Sequence, residues 1–199
     1  MRILAINGSP RRGKTTSFAL KQALEAAKEV DGAIKTELIE LGGLNIHHCV
    51  GCNKCREPLT CSQDDDFMKL VPRLTQPDIG GLIVGSPVYM GLMTGLMKNF
   101  LDRAVMLRRA KFIWQDVVAG TLAVGQARNG GQELTNHAMQ TALFVQNVVL
   151  VSDGPQYSHY GATLSSGLPG GIENDEFGIT TARNLGKRVA ELALKLYGK

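Results

Sequence analysis

All four cysteines of the chain fall within one short segment. They stand at Cys49, Cys52, Cys55 and Cys61 and form a C-x2-C-x2-C-x5-C run. Structural zinc sites usually take two C-x2-C pairs separated by a dozen or more residues, so this spacing fits zinc poorly. The repeated x2 spacing is typical of thiolates that bind the corners of an iron–sulfur cubane. The run therefore predicts one cluster in one loop, with zinc or a redox-active thiol pair as the alternatives.

A second candidate site is the segment 8–15, whose residues match the phosphate-loop pattern G-x-x-x-x-G-K-[ST]. Backbone N–H groups of such a loop, together with the positive end of the following helix, bind a phosphate. The side chains assigned to this site are Ser9, Arg11, Lys14, Thr15 and Thr16. A nucleoside triphosphatase also needs an acid that holds magnesium at the end of a neighbouring strand, and only Asp153 is placed for that role. The pattern thus favours a monophosphate ligand over a triphosphatase.

Two further loops each follow an apolar run and contain glycine. The first, Pro87 to Gly91, combines a rigid proline with the flat and soft surfaces of Tyr89 and Met90. The glycines of the second, Gly125 to Gly131, let backbone N–H groups approach a ring edge closely. A flat, partly apolar ring such as an isoalloxazine fits these requirements. The residues assigned to the ring are Pro87, Val88, Tyr89, Met90, Gly91, Gly125, Gln126, Arg128, Gly130 and Gly131.

Alternating strands and helices must position these loops. Apolar runs predict five strands, at 3–6, 34–41, 79–84, 117–124 and 148–151. Helical spacing predicts five helices, at 15–30, 67–71, 93–109, 132–146 and 175–196. Carboxylates at 64–66 are suited to cap the second helix. The alternation is typical of a doubly wound α/β parallel sheet, which binds ligands beyond the C-terminal ends of its strands.

Length and composition indicate an ordinary globular chain. The 199 residues carry 22 basic and 18 acidic side chains, a net charge of +4, and 44% are apolar. This mild charge gives no strong case for nucleic acid, and no apolar stretch approaches the roughly 20 residues of a membrane span. The N-terminal apolar run is too short for a signal peptide, so a cytoplasmic location is expected. We expect a single domain over 1–199, with a cluster-binding loop at 47–63 and a long loop at 154–172.

The quoted loops and the cysteine run together resemble the iron–sulfur flavoprotein family, which is similar to NAD(P)H-dependent FMN reductases of flavodoxin fold. The resemblance covers nearly the whole chain and implies a five-stranded parallel sheet of order 2-1-3-4-5. It also implies FMN and one [4Fe-4S] cluster per subunit, in a homodimer or homotetramer in which the cluster of one subunit faces the flavin of another. By the same resemblance, the phosphate is held by Ser9, Arg11, Thr15 and Thr16, and the ring by 87–91 and 125–131.

These features predict an electron-transfer oxidoreductase that couples a one-electron [4Fe-4S] cluster to FMN, which accepts one or two electrons. The chemistry belongs to the cofactors, so no side chain is assigned a catalytic role. The expected partners are a ferredoxin-like electron carrier or NAD(P)H, and a small-molecule acceptor. One alternative is an NAD(P)H-dependent FMN or quinone reductase that binds no cluster. The other, less well supported, is a P-loop nucleoside triphosphatase.

Overall fold

The computed structural model describes residues 1–198, in which strands and helices alternate along most of the chain. The strands are β1 (Arg2–Asn7), β2 (Lys35–Glu40), β3 (Ile79–Pro87), β4 (Val118–Gly125), β5 (Val149–Leu150) and β6 (Ala162–Ser165). The α-helices are α1 (Thr15–Val30), α2 (Asp66–Leu74), α3 (Gly95–Arg103), α4 (Val105–Arg109), α5 (Gln132–Phe144) and α6 (Glu176–Tyr197). Short 3₁₀ turns occur at Lys54–Arg56 and Ile172–Asn174.

The strands form one parallel sheet in the order β2-β1-β3-β4-β5, which confirms the predicted topology. The fifth strand predicted at 148–151 is confirmed as the short β5, but the sixth strand, β6, was not predicted. The outer edge of β4 pairs first with β5, opposite Val118 and Ala119, and then with β6, opposite Leu122 to Gly125. The long loop 154–172 therefore contains a strand, which its Gly- and Ser-rich composition concealed.

The predicted helix 93–109 is also wrong in its extent, because it begins later and is divided. Thr94 caps α3, since its Oγ1 accepts a hydrogen bond from the N–H of Met97 at 3.0 Å. Ala104 then separates α3 from α4. The predicted acidic cap of the second helix is confirmed, because Asp65 accepts from the N–H of Phe67 at 3.1 Å.

The sheet is covered on both faces, as the alternation of β1 shows. Leu4 and Ile6 pack into one buried cluster, whereas Ile3 and Ala5 pack into the other. Every one of these side chains is inaccessible to solvent. Each fully buried Leu or Ile contributes about 1.5–3 kcal/mol to folding relative to an exposed position. The two layers therefore fix the sheet rigidly and leave the strand C-terminal ends to carry the loops.

Within residues 1–198 no helix is both long enough and apolar enough to cross a membrane.

Candidate functional site

The phosphate loop joins β1 to the N-terminus of α1, as the sequence predicts. No side chain caps α1, and its first turn holds no acidic residue. The first N–H groups of the helix are thus free for an anion, which the helix dipole also favours. The hydroxyl of Thr16 is buried at this end and has no hydrogen-bond partner within residues 1–198. Arg11 and Lys14 are exposed nearby in sequence, so this site fits a phosphate group.

Glu40 is a candidate positioning residue that the sequence analysis did not identify. Its carboxylate accepts hydrogen bonds from Asn7 Nδ2 at 2.7 Å and from Ser17 Oγ at 2.6 Å. The N–H of Gly13 points to the same group at 3.4 Å. The end of β2 therefore ties the phosphate loop to the start of α1. Ser9 is held separately, because its N–H donates to Asn7 Oδ1 at 2.9 Å.

The first ring loop turns sharply after β3. Tyr89 and Leu92 form an isolated antiparallel bridge, with N–H to O distances of 2.8 and 3.1 Å. Met90 and Gly91 between them both have positive φ, +50° and +80°, as the central residues of a type I′ turn do. Met90 is fully exposed at the tip. The loop thus presents a soft apolar side chain beyond the strand end, where the sequence places a ring.

Thr94 joins the first ring loop to the phosphate loop, a role that its sequence position does not reveal. Its Oγ1 donates to the carbonyl oxygen of Gly8 at 2.6 Å, and its N–H donates to Ser86 Oγ at 3.1 Å. Thr94 itself is buried. One residue therefore connects the ends of β1 and β3 and caps α3 at the same time.

The second ring loop is shaped from within by Gln132. The amide of this buried side chain donates to the carbonyl oxygens of Ala127 at 2.6 Å and Leu164 at 3.2 Å, and it accepts from the N–H of Gly130 at 2.8 Å. Gly131 has φ of +99°, and a Cβ there would lie 3.3 Å from Gly91 Cα. The two ring loops are therefore in close contact, and a glycine at 131 is needed both for its backbone angle and for this approach.

Arg128 and Gln126 of that loop are engaged with the sheet edge. The Arg128 guanidinium forms an ion pair with Asp175 and donates to the carbonyl oxygen of Thr163 at 3.1 Å. The carbonyl oxygen of Gln126 accepts from Ser165 Oγ at 2.9 Å. These contacts attach the loop to β6 and to the start of α6. Because the Arg128 side chain and the Gln126 carbonyl are already engaged, the glycine backbone of 125–131 is the part of the loop that can approach a ring edge.

The four cysteines face one cavity. Its volume is about 670 Å³, and α3, α4 and α5 form its other walls. All four are free thiols, with Cys49 and Cys52 exposed and Cys55 and Cys61 half-buried. Within residues 1–198 no three His, Cys, Asp or Glu side chains are arranged to hold one metal ion. The donor set is nonetheless that of a soft-metal site, because four thiols line one open cavity and no disulfide joins them.

Two arginines contact this cavity. Arg109 donates to Cys55 Sγ at 3.0 Å and to Asn53 Oδ1 at 3.1 Å. Arg103 lines the same cavity as Cys61, and its Nε is buried without a hydrogen-bond partner within residues 1–198. The cysteine cavity is therefore lined by two cationic side chains, one of which donates directly to a cysteine sulfur.

Arg103 also anchors the cysteine loop through a buried ion pair. Its two terminal nitrogens bind the carboxylate of Asp65 at 2.7 and 3.0 Å, and both side chains are only 2% exposed. Burial opposes ionisation of Asp65, but hydrogen bonds from Arg103 and from the N–H of His47 outweigh it and lower the pKa of Asp65. His47 also offers its carbonyl oxygen to Arg103 at 3.2 Å. The start of the cysteine loop is therefore fixed to α2 and α3.

The hydroxyl of Ser62 lowers the pKa of the Cys52 thiol by hydrogen bonding at 2.9 Å, and backbone N–H groups add to the effect. A lowered pKa increases the thiolate fraction near neutral pH. Cys52, one of the two exposed cysteines, therefore deprotonates more readily than an ordinary thiol, and the thiolate is the form that binds metal.

Asp153, the magnesium-binding candidate of the triphosphatase alternative, is fully buried and engaged with His159. Its carboxylate accepts from the N–H of His159 and lies 3.3 Å from Nδ1 of the same residue. The Asp153 carboxylate is therefore already paired with His159, whereas the triphosphatase alternative requires it to bind magnesium.

Comparison with known proteins decides the family of this chain. Residues 1–160 match the family model described as NADPH-dependent FMN reductase. The chain belongs to this FMN reductase family. An iron–sulfur flavoprotein of Methanocaldococcus jannaschii is 38% identical over 192 residues, which cover 96% of this chain and 97% of the relative. An iron–sulfur flavoprotein of Methanosarcina thermophila is 32% identical, with 96% and 95% covered.

Membership of this family makes the chain a flavin-dependent oxidoreductase, and the solved structures show the same fold. An NAD(P)H dehydrogenase (quinone) of Archaeoglobus fulgidus is 32% identical over 86% of this chain and 82% of the relative. The solved structure of the flavodoxin WrbA-like protein of Agrobacterium tumefaciens superposes with a TM-score of 0.60 at 18% identity. The match covers 98% of this chain and 97% of the solved chain. The flavodoxin-like fold and the resemblance to iron–sulfur flavoproteins are thereby confirmed. Family membership also supports FMN as the cofactor.

Proposed function

We propose that this protein couples one-electron transfer at a [4Fe-4S] cluster to one- or two-electron chemistry at FMN. The observation that carries the proposal is the cavity of about 670 Å³ onto which all four cysteines of the chain open. The names of the iron–sulfur flavoproteins at 30–38% identity support the same assignment. Under this proposal the cluster ligands are Cys49, Cys52, Cys55 and Cys61.

The protein would hold FMN at the strand C-terminal ends. The phosphate would bind the uncapped N-terminus of α1, with help from Ser9, Arg11, Lys14, Thr15 and Thr16. The ring would lie against the contacting loops 87–91 and 125–131. The two cofactors supply the electron storage, and the chain fixes their positions and electrostatics. Thr94 and Glu40 serve this task by binding the loops to one another.

The arginines of the cavity act on the cluster side. Arg109 donates to Cys55 and Arg103 lines the cavity beside Cys61, so both guanidinium groups would offset the negative charge of a bound cluster. Arg103 is fixed by Asp65, whereas Arg109 is fixed by Asn53. Cation placement of this kind favours a more reduced, more negatively charged cluster.

The test is Cys52→Ser, assayed for iron, acid-labile sulfide and flavin in the same anaerobic sample. We expect iron and sulfide to be lost while FMN stays bound, because the ring loops and phosphate loop do not include the cysteines. Ser62→Ala is the matched control, since it removes the hydrogen-bond partner of Cys52 without removing a ligand. Retention of full iron and sulfide in C52S would refute cluster ligation by this run, and joint loss of iron and FMN would indicate a structural metal instead.

A flavin reductase without a cluster is the second candidate. One observation favours this candidate. Within residues 1–198, no three His, Cys, Asp or Glu side chains already surround one metal position. The relative named NAD(P)H dehydrogenase (quinone) supports it as well. This candidate requires direct reduction by a pyridine nucleotide. Anaerobic bleaching of the flavin by NADPH, in protein that contains no iron, would establish it in place of the first.

Exposed apolar side chains beside the cysteine cavity support a self-associated protein. Val50 and Val145 line the cavity and are 57% and 50% exposed, and the adjacent Phe144 is 71% exposed. A cluster of such residues is typical of a protein interface. Phe144→Lys should therefore lower the molecular mass measured by sedimentation, whereas Leu196→Lys at the far end of α6 should not. An unchanged mass for F144K would count against this interface.

A further inference from the structure

A second cavity adjoins the ring loop 125–131 and is lined by His159, whose buried partner Asp153 lies outside the cavity lining. The proposed electron transfer uses neither residue. Its volume is about 460 Å³. Arg128, Asn129 and Gly131 come from the ring loop, and His159, Thr163 and Phe177 come from the segments around β6 and the start of α6. The cavity therefore opens directly beside the loop assigned to the flavin ring.

The cavity has flat apolar and cationic surfaces. Phe177 is 40% exposed and lies under the Arg128 guanidinium, with 5.1 Å between the guanidinium carbon and the ring centroid. Tyr157 does not line the cavity, but its ring packs against Phe177 at 4.9 Å and stacks on His159 at 5.7 Å, with 11° between the Tyr157 and His159 rings. Surfaces of this kind are suited to a planar, conjugated ligand that carries polar oxygen atoms.

His159 is held as a proton donor would be. Its Nδ1 lies 3.3 Å from Asp153 Oδ2, and its own N–H donates to Asp153 Oδ1. Asp153 is fully buried, whereas the His159 side chain is 36% exposed. Within residues 1–198 no protein group bonds to Nε2, which lies across the ring from Nδ1. A buried carboxylate at Nδ1 fixes the orientation of the ring and leaves Nε2 available to a bound ligand.

We propose that His159, oriented by Asp153, donates a proton to a quinone-class acceptor bound in this second cavity. Transfer of electrons to an iron–sulfur carrier needs no proton, but conversion of a quinone to a hydroquinone takes two electrons and two protons. The acceptor receives both electrons and one proton from the reduced flavin, and the second proton comes from His159 Nε2. Both C=O groups become C–OH groups, the flavin is oxidised, and His159 regains its proton from water. This inference rests on the proposed placement of FMN by loops 87–91 and 125–131.

The test compares two oxidants of the dithionite-reduced holoprotein in stopped-flow experiments. Two-electron reduction of benzoquinone to hydroquinone takes up two protons, whereas ferricyanide accepts one electron and takes up none. His159→Gln should slow the reaction with benzoquinone by about 10²- to 10⁴-fold, the usual contribution of a positioned acid. The reaction with ferricyanide should stay within about twofold of the wild type. Asp153→Asn, which leaves the histidine but removes the charge behind it, should show the same selective loss.

His137→Gln is the control, because His137 is an exposed histidine of α5 that packs on Tyr160 and does not line the cavity. An unchanged benzoquinone rate in H159Q would overturn the inference, as would an equal loss with both oxidants, which indicates a structural role. If the wild type contains no flavin, the proposed function itself fails, and the flavin absorbance of the starting sample reports this separately.

Discussion

Replacement of Arg103 by Met tests how the cysteine loop is anchored. The substitution leaves the carboxylate of Asp65 buried at 2% exposure without its two bonds from Arg103. Removal of one partner from a buried ion pair costs about 3–5 kcal/mol, because the remaining charge is uncompensated. For a chain of this size each kcal/mol lowers Tm by about 2–4 °C, so R103M should melt about 6–20 °C below the wild type.

The double variant Asp65→Asn, Arg103→Met should recover part of this loss, because no buried charge remains and asparagine is also a good helix cap. Lys98→Met is the matched control on the same helix. Lys98 pairs with Asp102 at the surface, with the side chains 55% and 43% exposed, so its removal should cost less than about 1 kcal/mol. Thermal unfolding followed by circular dichroism measures all three variants.

The effect of R103M should also depend on pH. Burial opposes ionisation of Asp65, yet the bond from Arg103 outweighs it and holds the pKa of Asp65 below its ordinary value. A carboxyl whose folded pKa is lowered stabilises the protein above the unfolded pKa, and this contribution is lost as the pH falls through the folded pKa. The Tm difference between wild type and R103M should therefore narrow below about pH 4. Two results would contradict this role of the ion pair. One is a free energy of unfolding of R103M within about 1 kcal/mol of the wild type at neutral pH. The other is a double variant, Asp65→Asn with Arg103→Met, that is no more stable than R103M.

Three further variants test the loops and the packing. Glu40→Ala removes the hydrogen bonds that hold the phosphate loop and should raise the Kd for FMN about tenfold in a fluorescence titration, whereas an unchanged Kd would contradict the role of Glu40. Thr94→Val loses both its cap and its bond to the phosphate loop and should cost about 1–2 kcal/mol in urea unfolding; equal midpoints would contradict this. Gly186→Ala places a Cβ 1.9 Å from the backbone of α1 and should destabilise by about 1–3 kcal/mol, whereas Gly32→Ala, with open space around it, should be nearly neutral.

The sheet order and the loops were predictable because their signals are local or are shared by the family. The run 3–6 followed by a glycine-rich loop and a helical repeat predicts β1, the phosphate loop and α1 without any long-range information. The strand order itself came from the family resemblance. The break between β5 and β6 was not predictable, because four residues of Ala, Thr, Leu and Ser carry too little apolar pattern to indicate a strand.

The side chains that hold the site together were missed for a different reason. The partners of Glu40, Arg103 and Thr94 lie 33, 38 and 86 positions away in the sequence. A single sequence contains no signal for such contacts. Glu40 and Thr94 therefore look like ordinary surface or loop residues until the fold brings each one to its own partner. Arg103 lies in the middle of a predicted helix, where a solvated arginine is the usual expectation.

The central claim is that one chain holds both an iron–sulfur cluster and FMN that exchange electrons. Anaerobic coulometric titration of the purified holoprotein, normalised to chain concentration and followed by absorbance, tests it most directly. The protein should take up about three electrons per chain, one at the cluster and two at the flavin. An uptake of about two electrons, with the spectrum of flavin alone and no iron in the sample, would contradict it.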